Sequence, residues 1–297
     1  MKKFVKISVI VFCAAIVLGL LTGGIAYAAG GSYLFQKDGD FTPETANFVA
    51  EGVTEIKYTA PSGSLEILRS DTEEIKVDWY ESEYSLVTVT VENGVLKIER
   101  EEKRDWEFLV MNFTRVKMRL ITVYLPLSFT GDIDMASANG YIEIERGGEL
   151  NNIKFKSSNG KAVIRNTAVN VFDGNTSNGG IIFENVTANE VKFDTSNGVL
   201  DFKNVTVGTV GFGSSNGAVK FNGAITGTKQ SVFDTSNGSI ELNLQGDPDD
   251  YRIDFKTSNA SINIDSMSFV KEGEYNKNGA VYIKLGTSNG HITVNFS

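Results

Sequence analysis

The chain is short of the residues that most often carry chemistry or cross-links: one cysteine, one histidine, four prolines and two tryptophans in 297 residues. A lone Cys13 rules out a disulfide within one copy, so stability has to come from packing and backbone pairing. With His291 as the single histidine there is no Cys/His metal cluster, and no nucleophile–histidine pair is expected to assemble. Phosphate-cradling glycine motifs and the calcium-binding nonapeptide repeat are missing too. Asp247, Asp249 and Asp250 around Pro248 lack the rest of a calcium loop and read as a solvated turn. We therefore expect no catalytic residue, no cofactor and no metal site.

Basic charge is in deficit as well. The first 30 residues hold three lysines and no acid, which leaves 25 basic against 37 acidic residues beyond them. A surface at −12 repels nucleic acid, and anionic lipid or wall polymer unless divalent ions intervene, so no nucleic-acid partner is expected.

What the chain has is repetition. From Ile133 onward one phrase returns eight times, with its asparagines at Asn139, Asn159, Asn178, Asn197, Asn216, Asn237, Asn259 and Asn289. Successive spacings are 20, 19, 19, 19, 21, 22 and 30 residues, the mark of stacked repeats. Glycine follows seven of them, at Gly140, Gly160, Gly179, Gly198, Gly217, Gly238 and Gly290; Ala260 takes the place in the remaining one. A serine or threonine stands two residues before every Asn, from Ser137 to Thr287. Apolar residues fill the positions four and six before it except at Gly174 and Ser231, Phe193 and Val191 for example, and the second and fourth after the glycine, such as Leu200 and Phe202.

Period-two alternation on both sides of a turn describes two half-buried strands, and no segment here has a helical period. The economical solution is an all-β fold: a single-stranded parallel β-solenoid of ~20-residue coils. Counting parity through the turn turns each Asn inward, as a structural ladder of stacked amides with a buried hydroxyl column beside it. The turn glycines are expected at positive φ, which makes the Ala260 coil the strained or differently turned one. The phenylalanines four before Asn are expected to stack as an interior column.

At the amino end, Lys2, Lys3 and Lys6 precede a run without charge from Ile7 to Tyr33. Residues 1–30 fit a retained transmembrane helix or a signal peptide cleaved after Ala26-Tyr27-Ala28; the anchor is preferred, and either one places the rest outside the membrane. Residues 31–47 read as a linker, 48–130 as an irregular β region capping the solenoid, and 131–297 as the regular repeats. Within the cap, Asn93-Gly94 fits a two-residue hairpin or a divergent coil equally well. The insert from Glu101 to Phe113 reads as a folded-back plug, with an exposed aromatic contact surface as the other reading. A second insert near Met267–Asn278 is expected to shield the last strand, His291–Phe296.

The repeated Thr-Ser-Asn-Gly-x-Ile/Leu-x-Phe phrase, Tyr124-Leu125-Pro126 before the first regular coil and the lysine-led apolar segment together resemble a bacterial family known as putative adhesins. The resemblance spans about residues 48–297 and departs from the pattern at Ala260 and at the 30-residue final spacing. It implies a β-solenoid domain of unknown function in cell-envelope proteins, some of them accessory to envelope-stress responses, and transfers no catalytic residue. The expectation is a membrane-anchored or secreted extracellular repeat protein with adhesin-like binding or scaffolding, its partner an envelope or surface protein or glycan. An envelope-stress accessory protein with a membrane partner is the first alternative. A polysaccharide-active β-helical enzyme is the second, weakened because the outward columns mix charge signs with no acidic row.

Overall fold

The computed structural model describes residues 41–82, 85–102 and 120–297. The apolar amino-terminal segment and the insert at 103–113 lie outside them. No helix among the described residues is long and apolar enough to cross a membrane.

The amino-terminal part contributes β1 (Thr42–Val49), β2 (Glu55–Ala60), β3 (Ser64–Ser70), β4 (Glu74–Glu81), β5 (Ser85–Glu92), β6 (Val95–Glu102) and β7 (Leu120–Pro126). The repeats follow as β8 (Asp132–Ser137), β9 (Ile142–Ser157), β10 (Ala162–Thr176), β11 (Ile181–Thr195), β12 (Leu200–Ser214), β13 (Val219–Ile225), β14 (Ser231–Thr235) and β15 (Ile240–Leu244). The carboxyl end adds β16 (Tyr251–Ile264), β17 (Met267–Tyr275), β18 (Val281–Thr287) and β19 (Ile292–Phe296). β1 begins inside the stretch read as a linker.

Each coil lies in parallel on the next with matching positions aligned. Ile142 pairs with Ala162, Ala162 with Ile181, Ile181 with Leu200, and Leu200 with Val219. Along the coils built on β10, β11 and β12 burial largely alternates and breaks three times, at consecutive outward residues. Asn166 and Arg165 form one such pair, Asn170 and Val171 the next, Ser177 and Asn178 the third. Each coil is therefore three-sided, one side more than two strands flanking a turn. Parity cannot be counted through these corners.

That break corrects two expectations. Ser196 and Asn197 both face outward and Gly198 is buried, so the corner asparagines are exposed rather than inward. The corner glycines are not at positive φ either. They are needed because a Cβ on Gly198 would overlap the Gly179 carbonyl of the coil beneath, and the same holds for Gly140 on Gly63, Gly217 on Gly198 and Gly290 on Gly238.

The core is a set of columns. Phe183 stacks on Phe202 at 4.6 Å with rings 2° from parallel, and Phe202 on Phe221 at 5.8 Å. These lie four residues after the corner glycine; on the column four before Asn, Phe193 and Phe212 sit 6.1 Å apart. Burying each ring contributes about 1.5–3 kcal/mol. Gly174 interrupts that second column because Phe172 fills the space, 5.2 Å edge-on to Phe183, and a Cβ on Gly174 would press into the Phe172 ring.

Both ends are closed by antiparallel strands. β2 and β3 form a coil beneath the first regular one, with Ile56 aligned to Ile133 and Leu65 to Ile142. β5 and β6 form a hairpin through Asn93 (φ 52°) and Gly94 (φ 79°), and β6 also lies parallel on β2. The Asn93-Gly94 pair is thus a hairpin turn whose second strand joins the stack. Arg69 ties this end to the first regular coil. It donates from Nε to Gly147 O (2.7 Å) and from Nη1 to Pro126 O (2.5 Å) and Phe129 O (2.8 Å), with Nη2 on Gly147 O and Glu149 O. The Gly147-Gly148 corner that receives it holds the extra residue of the 20-residue first spacing.

At the carboxyl end stacking order departs from chain order. β14 and β15 pair with β18 and β19, which in turn pair with β16. The last coil in sequence is inserted beneath the one before it. β17 pairs antiparallel with β16, so the 267–278 insert covers the β16 edge by strand pairing, and it meets the last strand through Tyr275, stacked on Phe296 at 5.7 Å. Stacked in chain order, β18 and β19 would end the sheet as an open parallel edge; insertion puts the β16–β17 hairpin outermost. Lys271, at φ 68°, bulges from β17 where the pairing register slips.

Candidate functional site

The feature that runs the length of the stack is the Ser-Asn corner. Beneath the surface, the hydroxyl two before Asn binds in two directions at Ser157, Thr176, Thr195, Ser214, Thr235 and Thr287; Ser137 donates to Gly63 O and Thr257 to Ser288 O. The Thr195 hydroxyl donates to Gly179 O of the coil below (3.1 Å) and accepts from Gly198 N–H of its own corner (2.9 Å). Thr287 repeats this with Gly238 O (3.1 Å) and Gly290 N–H (3.0 Å). Buried polar groups at the corner are satisfied by this relay, and the glycine column comes close enough to allow it.

Outside it, the amides form an exposed ladder. Asn159 donates to Asn139, Asn178 to Asn159 and Asn197 to Asn178, each at 2.7 Å; Asn216 donates to Asn197 and Asn237 to Asn216 at 2.8 Å. Asn289 then donates to Asn237 and Asn259 to Asn289, both at 2.7 Å, which carries the ladder through the inserted coil. Corner Thr257–Ala260 of that outermost coil is extended within β16, not bent like the others, and there alanine replaces glycine.

Two further amide ladders occupy the other corners. Asn185 donates to Asn166 (3.0 Å) and Asn204 to Asn185 (2.8 Å), all three at φ between 49° and 54°, a region asparagine tolerates better than most residues. Asn189 donates to Asn170 (2.9 Å) and Asn170 to Asn151 (3.2 Å), and Asn151 donates to Asp132 (2.8 Å). Their signal in the sequence was a 19-residue recurrence of Asn at two more offsets. Every ladder has the same polarity: Nδ2 points toward the amino-terminal coils.

The flat sides carry mixed charge. On the side before the Ser-Asn corner, Lys57, Asp134, Lys154, Asp173 and Lys192 alternate in one column, with Lys57 and Asp134 3.7 Å apart. On the next side Arg165 lies 2.6 Å from Glu143 and 3.4 Å from Glu184. Exposed pairs of this kind contribute roughly 0–1 kcal/mol each and offer no single-sign field.

Groups with chemical potential are few. Ser261 Oγ lies 2.9 Å from His291 Nδ1, both exposed. This corrects the expectation that no nucleophile–histidine pair forms: both residues follow a corner by one position, and insertion of the last coil makes their coils adjacent. On the side before that corner, Tyr282 donates to Asp254 Oδ2 at 2.5 Å, and that bond, ahead of burial, raises the phenol pKa above its ordinary value. Arg252 reaches Glu274 at 2.7 Å and covers the Tyr282 ring at 4.7 Å. Asp247 accepts from Asp249 N–H (3.0 Å) as the cap of the short 3-10 turn Pro248–Asp250. No group of three or more metal-type ligands occurs among the described residues.

Several solved structures are similar to the chain at low identity. A putative adhesin from Bacteroides fragilis is 15% identical over 86% of this chain and 97% of its own, with a TM-score of 0.49. A putative lipid binding protein from Parabacteroides distasonis is 15% identical over 85% of this chain and 96% of its own, at 0.48. A putative adhesin from the same species is 12% identical over 88% and 98%, at 0.46. A search of curated proteins found no match. Residues 53–295 match the family model described as Toastrack DUF4097, and the chain belongs to that family.

Proposed function

We propose that this protein is a non-catalytic, extracytoplasmic β-solenoid of the bacterial cell envelope, held at the membrane by residues 1–30 and acting as an adhesin-like binding surface or scaffold. The observation that carries the reading is the corner of exposed Asn side chains, preceded by Ser in seven coils and by Ala138 in the first, uncharged over eight coils on a chain with a large acidic excess. Donors and acceptors repeated at the strand spacing, ~4.8 Å, suit a partner with its own repeat, such as a glycan chain. The lysine-led apolar leader and the likeness to putative adhesins support an envelope location.

The test is capture with the exported region, residues 31–297, from native envelopes and on purified wall polymer or host glycans, with and without calcium. Retention on polymer or glycan supports adhesion. Capture of one defined membrane protein moves the reading to an accessory role. Release of reducing or unsaturated sugar ends overturns the non-catalytic reading.

A further inference from the structure

Seven of the eight ladder asparagines precede glycine, the sequence most prone to deamidation because an unbranched glycine lets its backbone nitrogen reach the neighbouring side-chain carbon. All seven are exposed. Two hydrogen bonds stand against the reaction along most of the stack. The attacking nitrogen is held by the hydroxyl three residues earlier, as in Gly160 to Ser157 (2.8 Å), Gly179 to Thr176 (3.2 Å) and Gly198 to Thr195 (2.9 Å). The departing nitrogen, Nδ2, is held by the asparagine one coil below, as in Asn178 to Asn159 and Asn197 to Asn178. Asn139 has neither restraint among the described residues. It heads the ladder, accepting from Asn159 at 2.7 Å, and neither its Nδ2 nor the Gly140 N–H donates.

We propose that Asn139 is a deamidation site at the head of the ladder, and that the stacked asparagines beyond it are kept unreactive by the coil beneath each one. The Gly140 nitrogen attacks Cγ of Asn139, the bond from Cγ to Nδ2 breaks, and Nδ2 leaves as ammonia with the proton from Gly140. Water then opens the five-membered succinimide to aspartate or isoaspartate. An aspartate suits the position, since the head of a ladder only accepts. The ladder of Asn151, Asn170 and Asn189 already begins with an acid, Asp132. At Asn178 a carboxylate would instead lose the donor to Asn159.

The experiment is peptide mapping by mass spectrometry of the full chain after incubation at mildly alkaline pH, folded and in denaturant. Asn278-Gly279, exposed and outside the ladders, with its Gly279 N–H in a long bond to Asn276 O (3.5 Å), serves as the weakly restrained reference. In the folded protein Asn139 is expected to react at least about tenfold faster than Asn178 and Asn197, and the difference to vanish on unfolding, as expected of a restraint released by local opening. Equal rates at Asn139 and Asn178 in the folded protein overturn the proposal, and so does an unmodified Asn139 while Asn278 reacts. As a second arm, Asn139→Asp is expected to keep the melting temperature and Asn178→Asp to lower it; the reverse order also overturns it.

Discussion

From Asp132 to Ile225 each coil lies on the one before it in sequence, whereas beyond Ser231 the order of stacking departs from the order of the chain. In the first region the corner glycine is obligatory, ladders occupy all three corners, and phenylalanines stack at matched heights. In the second, alanine is accepted at the outermost corner, an antiparallel hairpin supplies the last strand, and the bulge at Lys271 blunts its edge. The difference shows what a neighbour imposes: a coil covered on both sides has its residues chosen by the coils above and below, and a coil at the end does not.

The sharpest way to break that comparison is at the corner glycines. Gly198→Ala in the middle is expected to cost about 4 kcal/mol or more, since the new methyl meets backbone that cannot move without displacing its own neighbours. Ala260→Gly at the end is expected to change stability by less than about 1 kcal/mol. Denaturant unfolding measures both, and equal small changes would remove close approach as the reason for glycine. Next is the core: Phe202→Ala, between two rings, is expected to cost about 3–5 kcal/mol. Phe269, partly buried on β17 against Phe255 at 4.8 Å, should cost clearly less.

Arg69→Met tests how the amino-terminal coil is fastened. Its guanidinium serves backbone carbonyls, so loss is expected to cost about 2–3 kcal/mol and to raise hydrogen exchange at Gly147–Glu149 before the middle coils respond. Smallest is the exposed ladder. Asn197→Ala is expected to cost about 1 kcal/mol, the worth of an ordinary hydrogen bond, with no measurable loss for Lys192→Ala on the neighbouring flat side. Identical melting temperatures for the two would show the ladder to be ornamental to stability.

The period and the alternation around Phe193 and Leu200 were enough to read parallel coils, because both follow from side chains that repeat every coil. Direction at the corners was not legible. Ser196 and Asn197 point outward together, and nothing in a two-residue alternation announces such a pair. The glycines pointed to positive φ because that is their commonest use; only the distance between coils reveals the Gly179 carbonyl under Gly198. The closeness of Ser261 and His291 was hidden because it depends on which coil lies on which, and sequence spacing between Asn237, Asn259 and Asn289 suggests the wrong neighbour. Asn166 and Asn170 went unread beside the more conspicuous Ser-Asn-Gly phrase, although their 19-residue recurrence carries the same information.

Stacking order can be measured without a new structure. In a Cys13→Ser background, cysteines replace Val232 with Lys284, which are paired across adjacent coils, or Val232 with Asp254, which adjoin only if the chain stacks in sequence order. Adjacent strands lie about 4.8 Å apart, within reach of a disulfide, and coils two apart lie at roughly 10 Å, beyond it. Mild oxidation is predicted to cross-link the first pair in the folded protein and leave the second as free thiols; cross-linking of Val232→Cys with Asp254→Cys in place of Lys284→Cys would contradict the inserted final coil and the account of the corners built on it.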